Sequence, residues 1–258
     1  MKQETLKAKI KERYGKIAIE GNPESCCGPD CCSSSEANPQ ISSVAVGYDS
    51  KLLDSIPNSS ILGLGCGAPI NFANLKEGET VVDLGSGAGI DAFLASREVK
   101  NCGKVIGIDF TDEMLHKATS AAKENGFTNV EFRKGDIEDS IPVKDNSVDA
   151  AISNCVINLA TDKVKTFKEI HRILKKDGQG RMIISDLVTS KEVHGESVNA
   201  EDWCSCIDGA LTKENYIDSI KKAGFQNVRV LNEKTYMGAD NKNDRKISSV
   251  IIGAVTGK

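Results

Sequence analysis

The feature that most constrains the fold is a glycine-rich turn within residues 81–96, Val-Val-Asp-Leu-Gly-Ser-Gly-Ala-Gly-Ile-Asp-Ala-Phe-Leu-Ala-Ser. Val81 and Val82 end a buried strand, and three glycines follow at alternate positions. Next, Ile90 and Phe93 begin a helical face with a period of three to four residues. A strand, a glycine turn and a helix in this order predict the first unit of a nucleotide-binding sheet.

Two acidic residues flank this turn. Asp83 precedes the glycines, and Asp109 ends the next apolar strand, Val-Ile-Gly-Ile-Asp at 105–109. A carboxylate at that strand end can accept hydrogen bonds from both hydroxyls of a ribose. Glycines alone indicate only a turn, whereas glycines between these two acids predict a cofactor site.

From residue 79 onward, strand and helix patterns alternate, which predicts an α/β fold with a mostly parallel seven-stranded sheet and helices on both faces. No helix pattern separates the last two strands, so an antiparallel hairpin at the sheet edge is expected. Strands are expected near 80–84, 104–108, 129–134, 148–153, 180–186, 226–231 and 247–255. Helices are expected near 89–98, 112–125, 162–175 and 212–223.

The N-terminal part has a different pattern. Leu6, Ile10, Tyr14 and Ile17 predict an amphipathic helix over 2–20 that packs on the main domain or covers it. The stretch that follows is rich in Ser, Pro, Asn and Gly, which is typical of a loop. We expect three regions: an N-terminal helix with a Cys-rich mobile segment, a cofactor domain, and a C-terminal substrate-binding cap with the last strands, at 1–60, 61–190 and 191–258.

Charge and hydropathy exclude several classes of function. The formal net charge of the 258 residues is −4 and no basic block stands out, so a nucleic-acid surface is not indicated. No apolar run is long enough to span a bilayer. The first residues lack the apolar core of a secretory signal. We therefore expect a cytoplasmic protein with neither a nucleic-acid nor a membrane partner.

Cysteine is the unusual component, with nine residues. An odd number in a chain large enough for its own core does not indicate a disulfide framework, so reactive thiols or soft-metal ligands are expected. Two pairs of adjacent cysteines lie in the N-terminal loop. A zinc site would need a further pair of Cys or His residues at regular spacing, and the pattern lacks it. Among the others, Cys66 stands between two glycines that let the backbone approach a ligand closely.

Four strand ends are expected at one edge of the sheet, where ligands of open α/β sheets bind. These ends, and the order of the motifs over 79–186, resemble class I S-adenosylmethionine-dependent methyltransferases. That resemblance implies a cofactor held by the glycine loop, a ribose at Asp109 and an adenine near Asp136. The implied cofactor residues are Asp83, Gly85, Ser86, Gly87, Gly89, Asp109, Phe110, Met114, Gly135, Asp136, Ile137 and Asn154.

Three further motifs resemble the arsenite methyltransferases: Gly-Cys-Gly at 65–67, Ser-Asn-Cys-Val-Ile-Asn-Leu at 153–159, and Trp-x-x-Cys-x-x-Gly-Ala-Leu at 203–211. The resemblance implies catalytic thiols at Cys66, Cys155 and Cys206 that bind As(III). It also implies an additional N-terminal thiol, and the pattern does not choose among Cys26, Cys27, Cys31 and Cys32. Trivalent arsenic is soft and prefers thiolates, which is consistent with this set. The implied partners are arsenite or its thiol conjugates and a thiol reductant, thioredoxin or glutathione.

Two other functions share the same core motifs. One is methyl transfer to a small organic acceptor such as a quinone or sterol, which predicts a large apolar acceptor pocket and no role for the thiols. An aromatic content of 5% does not favour such a pocket. The other is a metalloid-binding or sensing protein that has kept the fold without the chemistry. Such a protein would be expected to have lost the glycine loop or the ribose-binding acid, and this sequence retains both.

Overall fold

The computed structural model describes residues 3–21, 38–237 and 244–257. Its strands are β1 (Thr80–Leu84), β2 (Lys104–Asp109), β3 (Val130–Lys134), β4 (Ala150–Asn154), β5 (Arg181–Thr189), β6 (Phe225–Met237) and β7 (Ile247–Thr256). Its α-helices are α1 (Gln3–Glu20), α2 (Pro39–Val46), α3 (Ser50–Leu53), α4 (Ile90–Val99), α5 (Asp112–Glu124), α6 (Lys163–Ile173), α7 (Ala200–Cys204) and α8 (Lys213–Lys222).

The seven strands form one sheet in the order β3-β2-β1-β4-β5-β7-β6. Strands β1 to β5 are parallel, and β7 is antiparallel to both β5 and β6. The predicted α/β class and the antiparallel hairpin at the edge are therefore confirmed. The order reverses at β1, so the carboxyl ends of β1 and its neighbours form the crevice where such sheets bind ligands.

The sheet is covered on both faces, which explains its continuous apolar strands. Val82 packs in a cluster with Phe167 of α6 and Tyr216 of α8. Its neighbour Val81 points to the opposite face and packs with Ala92 of α4. Successive strand side chains alternate between faces, so an apolar pair of this kind is stable only when both faces are buried.

The structure differs from the sequence predictions at element ends. Helix α2 lies partly within the predicted loop because Asn38 accepts hydrogen bonds from the backbone of Gln40 and Ile41, and Pro39 occupies the first turn. Helix α5 begins at Asp112 as its first residue, with Thr111 in the capping position. Strand β6 runs to Met237, six residues beyond the expected end, because it pairs along nearly all of β7.

Helix α1 packs across the carboxyl edge of the sheet, in agreement with the predicted covering helix. Its Ile17 and Ala18 contact Met114 of α5, and its Ile10 packs with Cys204 of α7. Among the helices of the described residues, none is both long enough and apolar enough to cross a membrane.

Candidate active site

A deep cleft opens at the carboxyl ends of β1, β2 and β4, beneath α1. Its empty space, counted together with the open mouth, is about 1160 Å³. Its walls include every residue implied to bind the cofactor except Gly89: Asp83, Gly85, Ser86, Gly87, Asp109, Phe110, Met114, Gly135, Asp136, Ile137 and Asn154. Cys155 also lines this cleft.

Gly89 is not among the residues that line the cleft, and its expected role at the cofactor stays a prediction. Its N–H donates to the carbonyl of Ser86, and it caps the first turn of α4 with a left-handed φ of 97°. A Cβ at this position would lie 2.8 Å from the ring of Phe93. Gly89 therefore closes the glycine loop onto the helix.

The glycine loop presents its backbone to the cleft at Gly85, where a side chain does not fit. Gly85 has a φ of 64°, and a Cβ on it would lie 2.4 Å from Val156. The N–H of Gly87 donates to Asp109 Oδ2 at 2.9 Å, while Asp109 Oδ1 accepts from the N–H of Thr111 at 2.8 Å. Asp109 thus fixes the loop while it lines the cleft.

Three buried carboxyl groups line the cleft: Asp83, Asp91 and Asp109. Burial raises the pKa of Asp83 well above its usual value, raises that of Asp91 to about 6, and also raises that of Asp109. Asp83 Oδ2 and Asp91 Oδ1 are buried and have no hydrogen-bond partner. Unpaired buried carboxylates are costly, so this donor set fits a cationic ligand. S-adenosylmethionine carries both a sulfonium and an ammonium, and the residues present therefore fit it.

Tyr48 and Asn154 connect the acidic wall with the thiols. The hydroxyl of Tyr48 donates to Asp91 Oδ2 at 2.7 Å, so Asp91 serves in a buried network rather than as a helix cap. Asn154 Nδ2 donates to the Tyr48 hydroxyl at 2.8 Å and to the Gly67 carbonyl at 2.7 Å. Its Oδ1 accepts from the N–H of Cys66 at 3.1 Å. One amide therefore fixes the loop that carries Cys66 beside the cleft.

The glycines on either side of Cys66 allow this close packing. A Cβ on Gly65 would lie 2.6 Å from Asn154 Nδ2, and a Cβ on Gly67 would lie 2.3 Å from Ser185 Oγ. The hydroxyl of Ser249 donates to the Cys66 carbonyl at 2.5 Å and ties the loop to β7. Cys66 is consequently buried, with its Sγ 3.5 Å from Ser185 Oγ.

The other two predicted thiols lie on strained backbone. Cys155 has a φ of 59° and Cys206 a φ of 64°, in a region that non-glycine residues rarely adopt. Such strain clusters at functional sites, where surrounding structure holds it in place. The N–H of Cys155 donates to the carbonyl of Ser185, which extends the β4–β5 ladder by one residue. The Cys206 thiol donates to the Cys155 carbonyl at 3.0 Å.

The thiols lie close enough to affect each other's ionisation. Hydrogen bonds with the thiols of Cys206 and Cys66, together with burial, raise the pKa of Cys155 well above its usual value. The hydrogen bond with Cys155 lowers the pKa of Cys206. Burial and the nearby charge of Asp186 outweigh it, so the pKa of Cys206 is raised overall. Cys155 and Cys206 are therefore held mainly as neutral thiols until a thiophilic ligand displaces their protons.

Asp186, which the sequence analysis did not single out, lies with the thiols. One sulfur each from Cys66 and Cys155 and a carboxylate oxygen of Asp186 all lie within 4.8 Å of one another. Over residues 3–21, 38–237 and 244–257, this is the one group of His, Cys and acidic side chains with such spacing, and Cys206 is outside it. The feature of the sequence that could have identified Asp186 is the presence of an acidic residue inside the apolar run Met-Ile-Ile-Ser-Asp-Leu of β5.

A buried cation lies next to the same group. Lys163 Nζ donates to the carbonyl of Ala160 at 3.1 Å and lies 5.6 Å from the centroid of the Trp203 ring. Burial lowers the pKa of Lys163 to about 8, while the charges of Asp186 and Cys206 oppose that fall. The thiol group therefore has a nearby positive charge that could be recognised only once the fold was known.

Asp136, expected beside an adenine, pairs with the covering helix. Lys7 Nζ lies 2.6 Å from Asp136 Oδ2 and 3.3 Å from Glu138 Oε2. Both Lys7 and Asp136 line the cleft, so an adenine at Asp136 would meet the Lys7 ammonium.

The possible N-terminal thiols Cys26, Cys27, Cys31 and Cys32 lie outside the described residues. Cys102 is exposed before β2, and Cys204 packs against α1.

The segment that carries Cys206 is anchored by a buried ion pair. Asp208 accepts from Arg245 Nη2 at 2.9 Å and from the N–H of Asn199 at 2.7 Å. We expect Asp208→Ala to lower the free energy of unfolding by about 3–5 kcal/mol, because it leaves the Arg245 charge buried without this partner. Urea denaturation measures the loss. Lys213→Ala is the control, since its exposed pair with Glu233 contributes less than about 1 kcal/mol; equal effects of the two substitutions would contradict the prediction.

The chain is similar to known methyltransferases in sequence and in fold. Residues 75–224 match the family model described as a methyltransferase domain. An arsenite methyltransferase of Halobacterium salinarum is 38% identical over 97% of this chain, and one of Aquipseudomonas alcaligenes is 35% identical over 69% of it. A crystal structure of an arsenic(III) S-adenosylmethionine methyltransferase from Chlamydomonas reinhardtii covers 86% of this chain and 75% of its own, with 28% identity and a TM-score of 0.64. The chain spans 66% of the length of the Halobacterium relative and 52% of that of the Aquipseudomonas relative.

Proposed function

This chain belongs to the class I S-adenosylmethionine-dependent methyltransferases, and we propose that it transfers the cofactor's methyl group to trivalent arsenic bound by Cys66, Cys155 and Cys206. The single observation that carries the proposal is the arrangement of these residues. Cys66 and Cys206, from distant parts of the sequence, both lie near enough to Cys155 at the end of β4 to act on its thiol, and Cys155 lines the cofactor cleft itself. An organic acceptor would not require this arrangement.

Substrate binding follows from the chemistry of the thiols. Arsenite exchanges its three hydroxyls for three cysteine sulfurs, and each thiol proton leaves with a hydroxyl as water. Three sulfurs are a suitable donor set for a soft centre, and a pyramidal arrangement leaves the arsenic lone pair on the open side. Cys206 must move closer to Cys66 and Cys155 to complete this set, because it lies outside their mutually close group.

The protein's contribution to methyl transfer is positioning. S-adenosylmethionine supplies an electrophilic methyl group on a sulfonium. When bound, it would offer that methyl group to the arsenic lone pair, so that an As–C bond would form as the S–C bond breaks and a neutral thioether would leave. The glycine loop and Asp109 fix the cofactor side, and Asn154 fixes Cys66 on the arsenic side. Holding both reactants in line removes much of the entropic barrier without acid–base catalysis.

Methyl transfer to arsenic also requires a reducing co-substrate and a reducing compartment. Methylation formally oxidises arsenic from +3 to +5, so a thiol reductant is needed to return it to the trivalent state for a further cycle. Thioredoxin or glutathione would supply these electrons, and arsenite would arrive free or as a thiol conjugate. Because the three cysteines must be reduced, we propose the cytoplasm as the site of action.

The experiment that tests this function is turnover with alternative acceptors. The reduced full chain is incubated with S-adenosylmethionine and either arsenite plus glutathione or a panel of quinones and sterols. We expect formation of methylated arsenic and no methylated organic product. Turnover of an organic acceptor without arsenic would contradict the proposal, and arsenite binding with no consumption of cofactor would identify a metalloid-binding protein instead.

Binding of the cationic cofactor should depend on pH through Asp91. Its pKa is raised to about 6 by burial, so the unliganded protein keeps this carboxyl protonated up to that pH. Stability of the unliganded protein should therefore fall as pH rises from about 4 to 6, since the folded state binds more protons than the unfolded state there. Affinity for the cation should rise over the same range, by up to about a hundredfold for a two-unit shift.

Calorimetric titration between pH 4 and 7.5 measures this dependence. Asp91→Asn should flatten the pH profile and give weaker binding at pH 7.5, while Tyr48→Phe, which removes one donor to Asp91, should shift the profile to higher pH. An unchanged profile in Asp91→Asn would contradict the role of this carboxyl.

A further inference from the structure

The close group at the end of β4 contains an oxygen ligand as well as sulfur ligands. Cys66 lies on the loop before β1, Cys155 follows β4, and Asp186 lies within β5. Their sulfur and carboxylate oxygen atoms are within 4.8 Å of one another. In a tetrahedral zinc site, ligand atoms are about 3.3–3.8 Å apart, given Zn–S bonds of about 2.3 Å and Zn–O bonds of about 2.0–2.2 Å. A contraction of about 1 Å, within the reach of side-chain rotation, would therefore produce this geometry.

Asp186 retains the capacity to bind a cation although its side chain is fully buried. One of its oxygens accepts from the N–H of Asn158 and the hydroxyl of Tyr216, both at 3.0 Å, and the other accepts from the N–H of Leu187 at 2.9 Å. An ionised carboxylate has about four lone-pair sites. These three donors hold the carboxylate in a fixed orientation and leave one site for a metal.

The charge of the group also suits a divalent cation. Two thiolates and one carboxylate carry three negative charges, so a bound dication leaves a net charge of −1. The ammonium of Lys163 lies close enough to act on Asp186 and can balance that charge. A buried site needs such compensation, because an isolated charge in the interior is costly.

We propose that Cys66, Cys155 and Asp186 form a binding site for a divalent thiophilic cation, with Zn²⁺ as the representative ion, and that its occupation excludes arsenite. Two thiol protons are released to solvent on binding, no electrons are transferred, and water occupies the fourth position, as is common where zinc has three protein ligands. Cys66 and Cys155 are shared with arsenic. The third ligand differs between the two. Zn²⁺ also accepts a carboxylate oxygen, here from Asp186, whereas As(III) takes the thiolate of Cys206.

The exclusion of arsenite rests on the proposed function, whereas Zn²⁺ binding does not. The two are therefore measured separately. The full chain is used with Cys26, Cys27, Cys31 and Cys32 replaced by Ser, so that the N-terminal thiols do not contribute. Zn²⁺ affinity is measured by competition with a chromophoric chelator, and arsenite affinity by calorimetry in the same background.

We expect one equivalent of Zn²⁺ to bind. Asp186→Asn should weaken Zn²⁺ at least tenfold and leave arsenite binding intact, whereas Cys206→Ser should weaken arsenite at least tenfold and leave Zn²⁺ intact. Cys66→Ser should weaken both, and Cys102→Ser neither. Absence of stoichiometric Zn²⁺ binding, or equal effects of Asp186→Asn and Cys206→Ser on Zn²⁺, would overturn the proposal. Zn²⁺ binding as expected with no arsenite methylation would overturn the proposed function alone.

Asp186→Asn removes a buried acceptor and can prevent folding, so a second measurement uses the unsubstituted carboxylate. The ¹¹³Cd resonance of the Cd²⁺-loaded background protein distinguishes mixed sulfur–oxygen ligands from sulfur alone. We expect a chemical shift typical of two thiolates with oxygen ligands. A shift typical of three or four thiolates would overturn the assignment of Asp186.

Discussion

Replacing Cys155 by Ser should abolish arsenite methylation, with a loss of at least a thousandfold, while cofactor binding changes by less than about threefold. Cys155 is the thiol that lines the cleft and also interacts with both of the other thiols. A hydroxyl is a much harder ligand than a thiolate, so the substitution leaves arsenic with two soft ligands beside the methyl group. Product is measured by arsenic speciation, and cofactor affinity by calorimetry.

Cys102→Ser is the matched control for this substitution. Cys102 is exposed at the amino end of β2, at the opposite edge of the sheet from the cleft. Its replacement should leave the rate of methylation unchanged. Full activity in Cys155→Ser would show that arsenic is bound elsewhere, and equal losses in the two variants would indicate a general effect of thiol removal.

The second large effect is expected at the glycine loop. Gly85→Ala places a Cβ 2.4 Å from the Val156 side chain, on backbone with a φ of 64°. Both residues line the cleft, so relief of the clash must move one of its walls. We expect cofactor affinity to fall at least a hundredfold, as measured by calorimetric titration.

Gly126→Ala separates this clash from backbone strain. Gly126 follows α5 with a φ of 71°, and a Cβ there has no atom within 4 Å. Both alanines have the cost of left-handed backbone, about 1–2 kcal/mol. Only Gly85→Ala obstructs the cleft. If cofactor affinity falls equally in both variants, the loss comes from destabilisation of the fold rather than from the cleft wall.

The cofactor side of this site could be predicted from sequence because its information is local. A strand, a turn and a helix follow each other within residues 81–96, and the turn needs glycine for reasons of backbone geometry. Asp109 likewise ends a strand that the apolar pattern defines. Spacing alone does not distinguish a glycine that faces a ligand from one that closes the loop onto α4, as Gly89 does.

The residues around the thiols are brought together by the order of the strands in the sheet. That order cannot be read from a single sequence. Asp186 lies beside Cys155 because β4 pairs with β5, and Asn154 pairs with Ser185 in that register. Tyr48 reaches Asp91 from a segment 43 residues earlier in the chain. Cys155 and Cys206 were found only through the family resemblance, whereas Asp186 and Tyr48 lie outside its motifs.

The most direct test of methyl transfer to thiol-bound arsenic is a single turnover. The reduced protein is loaded with one equivalent of arsenite, freed of unbound arsenic and mixed with one equivalent of ¹³C-methyl-labelled S-adenosylmethionine. We predict that the label appears on protein-bound arsenic, with one demethylated cofactor formed for each labelled methyl group. Retention of the label on the cofactor, or its appearance on a protein side chain with arsenic unchanged, would contradict the account.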